Sequence, residues 1–273
     1  MSAGAARRFE PAAFPGFALV AVAALLALWA PIVTMVAYSF NAADSVALWG
    51  GFSLRWYAAA WENEAVQEAA GRSLLIASCA SIVSTGVATM AALGTTRRGR
   101  FRGRDVIDVA INQPLMVPEI VTAVALLIVF ASVKVATGYT GLGYLILAHS
   151  AFCVPFAYLP IRARLEGMDR TLETAAADLY AGPWAAFRHV TLPLMAPGIA
   201  AGAMLAFVIS LDDVIITEFV KSAGQDTLPT YMLGQLRRAV TPEVNAISTA
   251  LLALTTVLLT AFFLITRRRG DAA

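Results

Sequence analysis

Charge is scarce in this chain. Asp, Glu, Lys and Arg make up 14% of 273 residues against 59% hydrophobic, and the mean hydropathy is +0.72. That shortage excludes an ordinary soluble domain, which carries about 25% charged residues. Cysteine is rarer still: Cys79 and Cys153 are the only two, each inside an apolar run, with no spacing suited to zinc or to a disulfide framework. They are expected to be small buried side chains. The sequence also lacks the Gly-x-x-x-x-Gly-Lys-Ser/Thr loop that cradles nucleotide phosphates, the Gly-x-Ser-x-Gly nucleophile elbow and the His-Glu-x-x-His zinc pair. Accordingly no catalytic residue, metal site or cofactor of its own is expected. The net charge of +2, with basic residues gathered in short loops rather than along one face, gives no ground for a nucleic-acid partner.

What is present is a series of apolar runs, each near the roughly 20 residues that cross a bilayer. They lie at about 17–40, 73–93, 109–131, 142–163, 195–217 and 245–266, which predicts an all-α integral membrane protein with six spans and both termini on one side. Of the 20 Lys and Arg, 14 fall on that side: Arg7, Arg8, Arg97, Arg98, Arg100, Arg102, Arg104, Arg162, Arg164, Arg170, Arg188 and Arg267 to Arg269. The remaining six, Arg55, Arg72, Lys134, Lys221, Arg237 and Arg238, lie in loops of the other side, so the positive-inside rule places both termini in the cytoplasm. The first run exceeds the ~7–15-residue apolar core of a secretory signal and is expected to be an uncleaved span. After it, Trp49, Trp56, Tyr57 and Trp61 suit either the headgroup layer or a docking surface. One domain over residues 1–273 is expected, with function outside the membrane confined to about 41–72, 164–194 and 218–244.

The stretch Thr171 to Pro193 predicts two short helices with a corner between them. Thr171 suits a cap, Ala175 to Ala177 favour helix, Gly182 suits a left-handed C-terminal position, Pro183 suits the first turn of the second helix, and Pro193 is expected to stop that helix before the membrane. The alanines leave a flat face that another protein can approach closely, with Leu179, Trp184 and Phe187 as apolar knobs. An amphipathic helix on the inner leaflet has a similar composition.

This segment resembles the "EAA" loop of ABC importer permeases, whose pattern is Glu-Ala-Ala, three residues, Gly, then about nine residues to an Ile-x-Leu-Pro ending. Ala175-Ala176, Asp178, Ala181, Val190-Thr-Leu-Pro193 and Pro197-Gly198 fit in register. The motif's Glu falls on Thr174, with Glu173 one residue earlier, and its Gly falls on Tyr180, with Gly182 two residues later. The resemblance implies a type I ABC importer permease. It further implies that the loop at 164–194 docks in a groove of a cytoplasmic ATPase through Glu173, Thr174, Ala175, Ala176, Asp178, Tyr180, Gly182 and Pro193, and that ATP is bound by that partner.

Ionisable groups inside spans carry an insertion penalty of about 2.5–3.5 kcal/mol each and mark functional candidates. Four carboxylates qualify as pathway residues: Glu119, Asp212, Asp213 and Glu218. Glu119 follows Pro114 and Pro118, where the third span is expected to kink. Ser210-Leu-Asp-Asp213 is a helix-start pattern inside an apolar run, which suits a broken fifth span. Neighbours on an intact helix point about 100° apart, so one aspartate is expected to line a pathway and the other to cap or pair, with His149 or a second subunit as its partner. His149-Ser150 reads as a polar pair between helices, Gly198 and Gly202 as a close helix contact, and Leu228 to Arg238 as an amphipathic helix with Tyr231, Met232 and Leu236 on its apolar side.

The order Phe52-Ser-Leu-Arg-Trp-Tyr57, Pro114-Leu-Met-Val-Pro-Glu119, Ser210-Leu-Asp-Asp-Val-Ile-Ile-Thr217, Thr227-Leu-Pro-Thr-Tyr231 and Thr241-Pro-Glu-Val-Asn-Ala246 resembles the spermidine/putrescine branch of those permeases. That likeness implies a polyamine cargo, a bacterial inner-membrane location among lipid, and three kinds of protein partner. These are a second, non-identical permease, two copies of the ATPase and a periplasmic solute-binding protein, which docks over the 228–238 region. Another small amine or amino-acid derivative as cargo, a secondary carrier and a membrane-embedded enzyme are the alternatives.

Overall fold

The computed structural model describes residues 16–97, 101–238 and 241–270. Arg7, Arg8, Arg98 and Arg100 of the basic clusters lie outside the described residues. The elements run α1 Phe17–Tyr38, α2 Arg55–Glu62, α3 Glu64–Thr96, α4 Arg104–Met116, α5 Glu119–Thr137, α6 Gly143–Glu166, α7 Thr171–Asp178, α8 Pro183–Ala186, a π turn Phe187–Thr191, α9 Leu192–Asp212, α10 Ile215–Val220, α11 Leu228–Arg238 and α12 Pro242–Gly270. Among the described residues no β-strand forms beyond a single bridge between Asn41 and Phe52. Among the described residues six helices are long and apolar enough to cross a membrane: Phe17–Tyr38, Glu64–Thr96, Glu119–Thr137, Gly143–Glu166, Pro183–Asp212 and Pro242–Leu264.

The centre is α3, α6 and α9. Between apolar helices in lipid there is no hydrophobic drive, so close approach depends on small side chains and on polar groups that find partners across the interface. α3, 33 residues and about 50 Å long, buries Ala69, Ser73, Ala77, Ala80, Ser81, Ser84, Ala88 and Ala92 along one face. Ser81 donates to the Ala203 carbonyl of α9 at 2.7 Å. On α9, Gly198 and Gly202 meet α6 as their spacing predicts: a Cβ on Gly202 would stand 2.7 Å from the Ala157 carbonyl oxygen and 3.2 Å from Ile161. Gly202→Ala is therefore expected to lower stability by about 1–3 kcal/mol through overpacking. Gly86→Ala, where an added Cβ meets nothing within 4 Å, should be neutral or better in the same unfolding measurement in detergent. α1, α5 and α12 lie outside this centre, and in α1 no described residue is buried.

Proline chemistry moves two expected boundaries. The third span does not kink but breaks: α4 ends at Met116, Val117 is extended (φ −96, ψ 138), and α5 starts at Glu119. Pro118 has no N–H to give and forces the residue before it out of the helical region. Conversely, Pro193 does not stop its helix. The chain stays helical from Pro183 to Asp212, and the missing N–H and crowded ring of Pro193 are accommodated by the π turn just before it. The fifth span ends at Asp212, not near 217, because Asp213 turns extended (ψ 132).

Candidate functional site

Two helix breaks, α4/α5 and α9/α10, open onto one cavity of about 370 Å³ lined by Glu119, Phe152, Phe156, Ile209, Asp212 and Asp213, among others. Glu119 is in the first turn of α5, where unpaired N–H groups favour a carboxylate. Asp212 and Asp213 have different lives. Asp213 is buried, and its carboxylate accepts from the N–H of Ile216 at 3.3 Å, the N–H of Thr217 at 2.9 Å and the Thr217 hydroxyl at 2.8 Å, holding the start of α10. His149 of α6, 1% exposed, bridges the break: Nδ1 is 2.8 Å from Ser210 Oγ, and Nε2 is 2.9 Å from Thr217 Oγ1 and 3.4 Å from Asp213 Oδ2. His149 thus pairs across helices with Ser210 and Thr217 and not with Ser150, whose hydroxyl returns to the Ile146 carbonyl of its own helix. Asp212, one residue earlier, is exposed and also borders an apolar cavity of about 360 Å³ between α1, α9, α11 and α12.

Glu218 does not join these three carboxylates. It lies in a separate cavity of about 470 Å³ beside α11, paired with Lys221 at 2.6 Å and Arg237 at 3.3 Å. Lys221 also meets Asp226 at 2.7 Å. Burial works against the Lys221 charge, but the Asp226 and Glu218 carboxylates hold its pKa above the usual lysine range. The strap between α10 and α11 is fastened further by Lys134 to Ser222 (2.9 Å), Arg72 to the Asp226 carbonyl (2.8 Å) and Ser73 to the Leu228 N–H (2.7 Å). α11 spans the residues its pattern predicts. Tyr231 and Met232 pack inward, whereas Leu236 is exposed.

At the opposite end of the bundle, α7 begins after Arg170, and the cap is not Thr171: its N–H is taken by Asp169 at 2.9 Å, which holds that carboxyl below the usual range. The helix ends in a Schellman motif. The N–H of Ala181 bonds to the Ala176 carbonyl, the N–H of Tyr180 to the Ala177 carbonyl, and Tyr180 takes the left-handed φ of 60. Gly182, expected to be left-handed, is extended at φ −64 and leads directly into Pro183 at the start of α8. The left-handed residue therefore sits where the loop pattern puts its glycine, and holding a tyrosine there stores about 1–2 kcal/mol. Glu173 faces inward, 3.2 Å from Arg97 and accepting from Thr191 at 2.9 Å, while Thr174 bonds back to the Arg170 carbonyl. Leu179 (82% exposed), Tyr180 (97%) and Trp184 (70%) project outward with Ala175, Ala177 and Asp178 around them, and Ala176 is half-buried.

Sequence reasoning missed the aromatic wall. Phe152 and Phe156 stand one helical turn apart on α6, with ring centroids 5.4 Å apart, and their i, i+4 spacing was the available signal. It also missed Thr217 and Ser210 as partners of His149, which only the fold brings together.

Among the described residues the chain has six membrane-length helices, an exposed apolar corner after α7 at one end and a carboxylate-lined cavity between two helix breaks. Residues 84–269 match the family of the binding-protein-dependent transport system inner membrane component. Over 228 residues the chain is 40% identical to the putrescine transport system permease protein PotI of Escherichia coli K12, covering 82% of this chain and 81% of that protein. It is 36% identical over 243 residues to the spermidine/putrescine transport system permease protein PotC of Haemophilus influenzae, covering 89% and 93%. The fold is shared with a bacterial ABC transporter involved in the import of alginate (TM-score 0.68, 13% identity, 93% of this chain and 96% of that one) and with the MetNI methionine ABC transporter (0.59, 18%, 76% and 98%). The chain belongs to the family of binding-protein-dependent transport system inner membrane components. It is a multi-pass ABC permease of the bacterial inner membrane.

Proposed function

We propose that this permease passes a short, flexible polycation of the polyamine class, and that Glu119 and Asp212 meet its ammonium groups. The observation that carries this reading is the cavity at the two helix breaks. There two carboxylates, Glu119 and Asp212, share the wall with two phenyl rings. Ammonium groups are held by carboxylates and by aromatic faces, and a charge at membrane depth is tolerated where it lines such a path. The PotI and PotC relatives bear polyamine names in agreement. Asp213 serves the break itself, and Glu218, already neutralised by Lys221 and Arg237, lies outside the path.

α7 is the element that meets a dimeric cytoplasmic ATPase, since its apolar knobs face away from the bundle and the sequence holds no phosphate-binding loop. ATP is bound and hydrolysed by that partner. The α7 end is cytoplasmic, as are both termini, because the arginine-rich loops share that side. A second permease completes the path against the sparsely buried α5, and a periplasmic binding protein delivers cargo at the α11 end. In proteoliposomes holding the whole complex, ATP on the α7 side alone is expected to drive uptake of labelled putrescine. Excess spermidine should compete with it and glutamate should not. Uptake without ATPase, or equal competition by glutamate, would reject this reading.

A further inference from the structure

Three consecutive residues at the end of α3 reach two other elements, α6 and α7. The Thr95 hydroxyl lies 2.9 Å from Tyr158 Oη of α6 and shares its proton with the Ala91 carbonyl of its own helix, also at 2.9 Å, while Tyr158 Oη donates to Asp108 Oδ1 of α4 at 2.8 Å. The Thr96 carbonyl accepts from Arg170, at the entry to α7, at 2.9 Å. Arg97 stands 3.2 Å from Glu173 of α7, and the same Glu173 oxygen takes the Thr191 hydroxyl at the root of α9. Arg162 closes the group, donating to Asp108 at 3.3 Å and to Glu166 at 2.8 Å.

Tyr158 is fully buried, and its hydroxyl serves α3 and α4 and accepts from Arg162 of its own helix at 3.4 Å, bonding to no carbonyl of that helix. Ser150, also on α6, shows the ordinary alternative by bonding to Ile146. Buried polar groups that cross between helices add directional contacts that help to fix their relative positions. Beyond Asp108, α4 continues as one helix to Met116, and the break at Val117–Pro118 hands directly on to Glu119. A displacement of α7 therefore reaches α3 through Arg170 and Glu173, α4 through Thr95 and Tyr158, and the cavity through the break.

We propose that Tyr158 is a positioning residue for transport: its hydroxyl, shared between Thr95 and Asp108, links the docking helix α7 to the α4/α5 break and so to Glu119. This rests on the reading of α7 as the ATPase-docking element.

The test uses the whole complex of both permeases, ATPase and binding protein in proteoliposomes. Tyr158→Phe keeps the ring and removes the hydroxyl. It is expected to assemble and to hydrolyse ATP at the basal rate, while putrescine taken up per ATP falls about fivefold or more. Thr95→Val should act in the same direction, and the double variant should fall no further than Tyr158→Phe alone, because both cut one link. If Tyr158→Phe does not assemble, Thr95→Val decides. Ser150→Ala, which removes a buried hydroxyl that bonds within α6, should leave the ratio unchanged. A static brace would lower melting temperature, uptake and hydrolysis together with the ratio unchanged, and that result overturns the proposal. Retention of the ATPase by Leu179→Glu at the wild-type level would remove the premise and the proposal with it. A normal ratio in Tyr158→Phe beside a docking-defective Leu179→Glu overturns the proposal alone.

Discussion

Asp212→Asn is expected to cut ATP-driven putrescine uptake by about 10- to 100-fold with assembly intact, whereas Asp213→Asn should lower assembly first. The substitutions are chemically identical and one residue apart, so the difference must come from surroundings. Asp212 is exposed to the cavity and serves no backbone N–H among the described hydrogen bonds. Removing its charge breaks no fold contact there and makes insertion slightly more favourable. What is lost is attraction for a cation. Asp213 by contrast accepts from two N–H groups and a hydroxyl at the start of α10, beside His149.

An asparagine at 213 keeps one acceptor oxygen and turns an NH₂ toward donors it cannot satisfy. Hydrogen bonds to a charged group contribute about 1.5–3 kcal/mol each, so a loss near 3 kcal/mol is expected. The readouts are labelled uptake in vesicles beside yield and melting temperature of the purified complex. Normal uptake by both variants would remove charge reading from the fifth span. Failed assembly of Asp212→Asn would reverse the roles.

The different surroundings of the two aspartates show what was legible in the sequence. Ser210-Leu-Asp-Asp213 announced a helix break in an apolar run, and periodicity required the neighbours to point apart; the choice between them needed α6, whose His149 is 61 residues from Ser210. The six spans were legible because backbone in lipid has almost no alternative to helix once an apolar run reaches bilayer length. Ends controlled by proline were less so. Pro118 and Pro193 are both prolines near the edge of an apolar run, yet one separates two helices and the other is absorbed by a π turn. Gly182 misled for a related reason. Glycine permits a left-handed backbone but does not compel it, and the Schellman hydrogen bonds of α7 fall two residues earlier, on Tyr180. Glu218 looked like an intramembrane charge because Ile215 to Val220 continues the apolar pattern, whereas the break at Asp213 carries it beyond the span to Lys221 and Arg237.

Leu179→Glu and Trp184→Glu are expected to release the ATPase while the permease still inserts and folds. Both side chains are largely exposed, at 82% and 70%, so neither substitution opens a core cavity, and surface changes of this kind usually stay within about 0.5 kcal/mol of stability. In a docked complex the same side chains become the apolar centre of the contact, where truncation or charge costs about 2–4 kcal/mol, or roughly 30- to 1,000-fold in affinity. Tyr180→Gly separates the two roles of that residue. Relief of the left-handed backbone should stabilise the loop by about 1 kcal/mol, while loss of a 97% exposed ring should weaken docking if the ring is buried by the partner. Gly182→Leu, at an extended backbone with nothing within 4 Å of an added Cβ, should fold normally and serve as a probe of space in the partner's groove. Co-purification of ATPase with tagged permease, read beside uptake, measures all four. If Leu179→Glu and Trp184→Glu both retained the ATPase at the wild-type level, docking would belong to another surface, and the inward-facing Glu173, with its ties to Arg97 and Thr191, would be only a fastening of the loop.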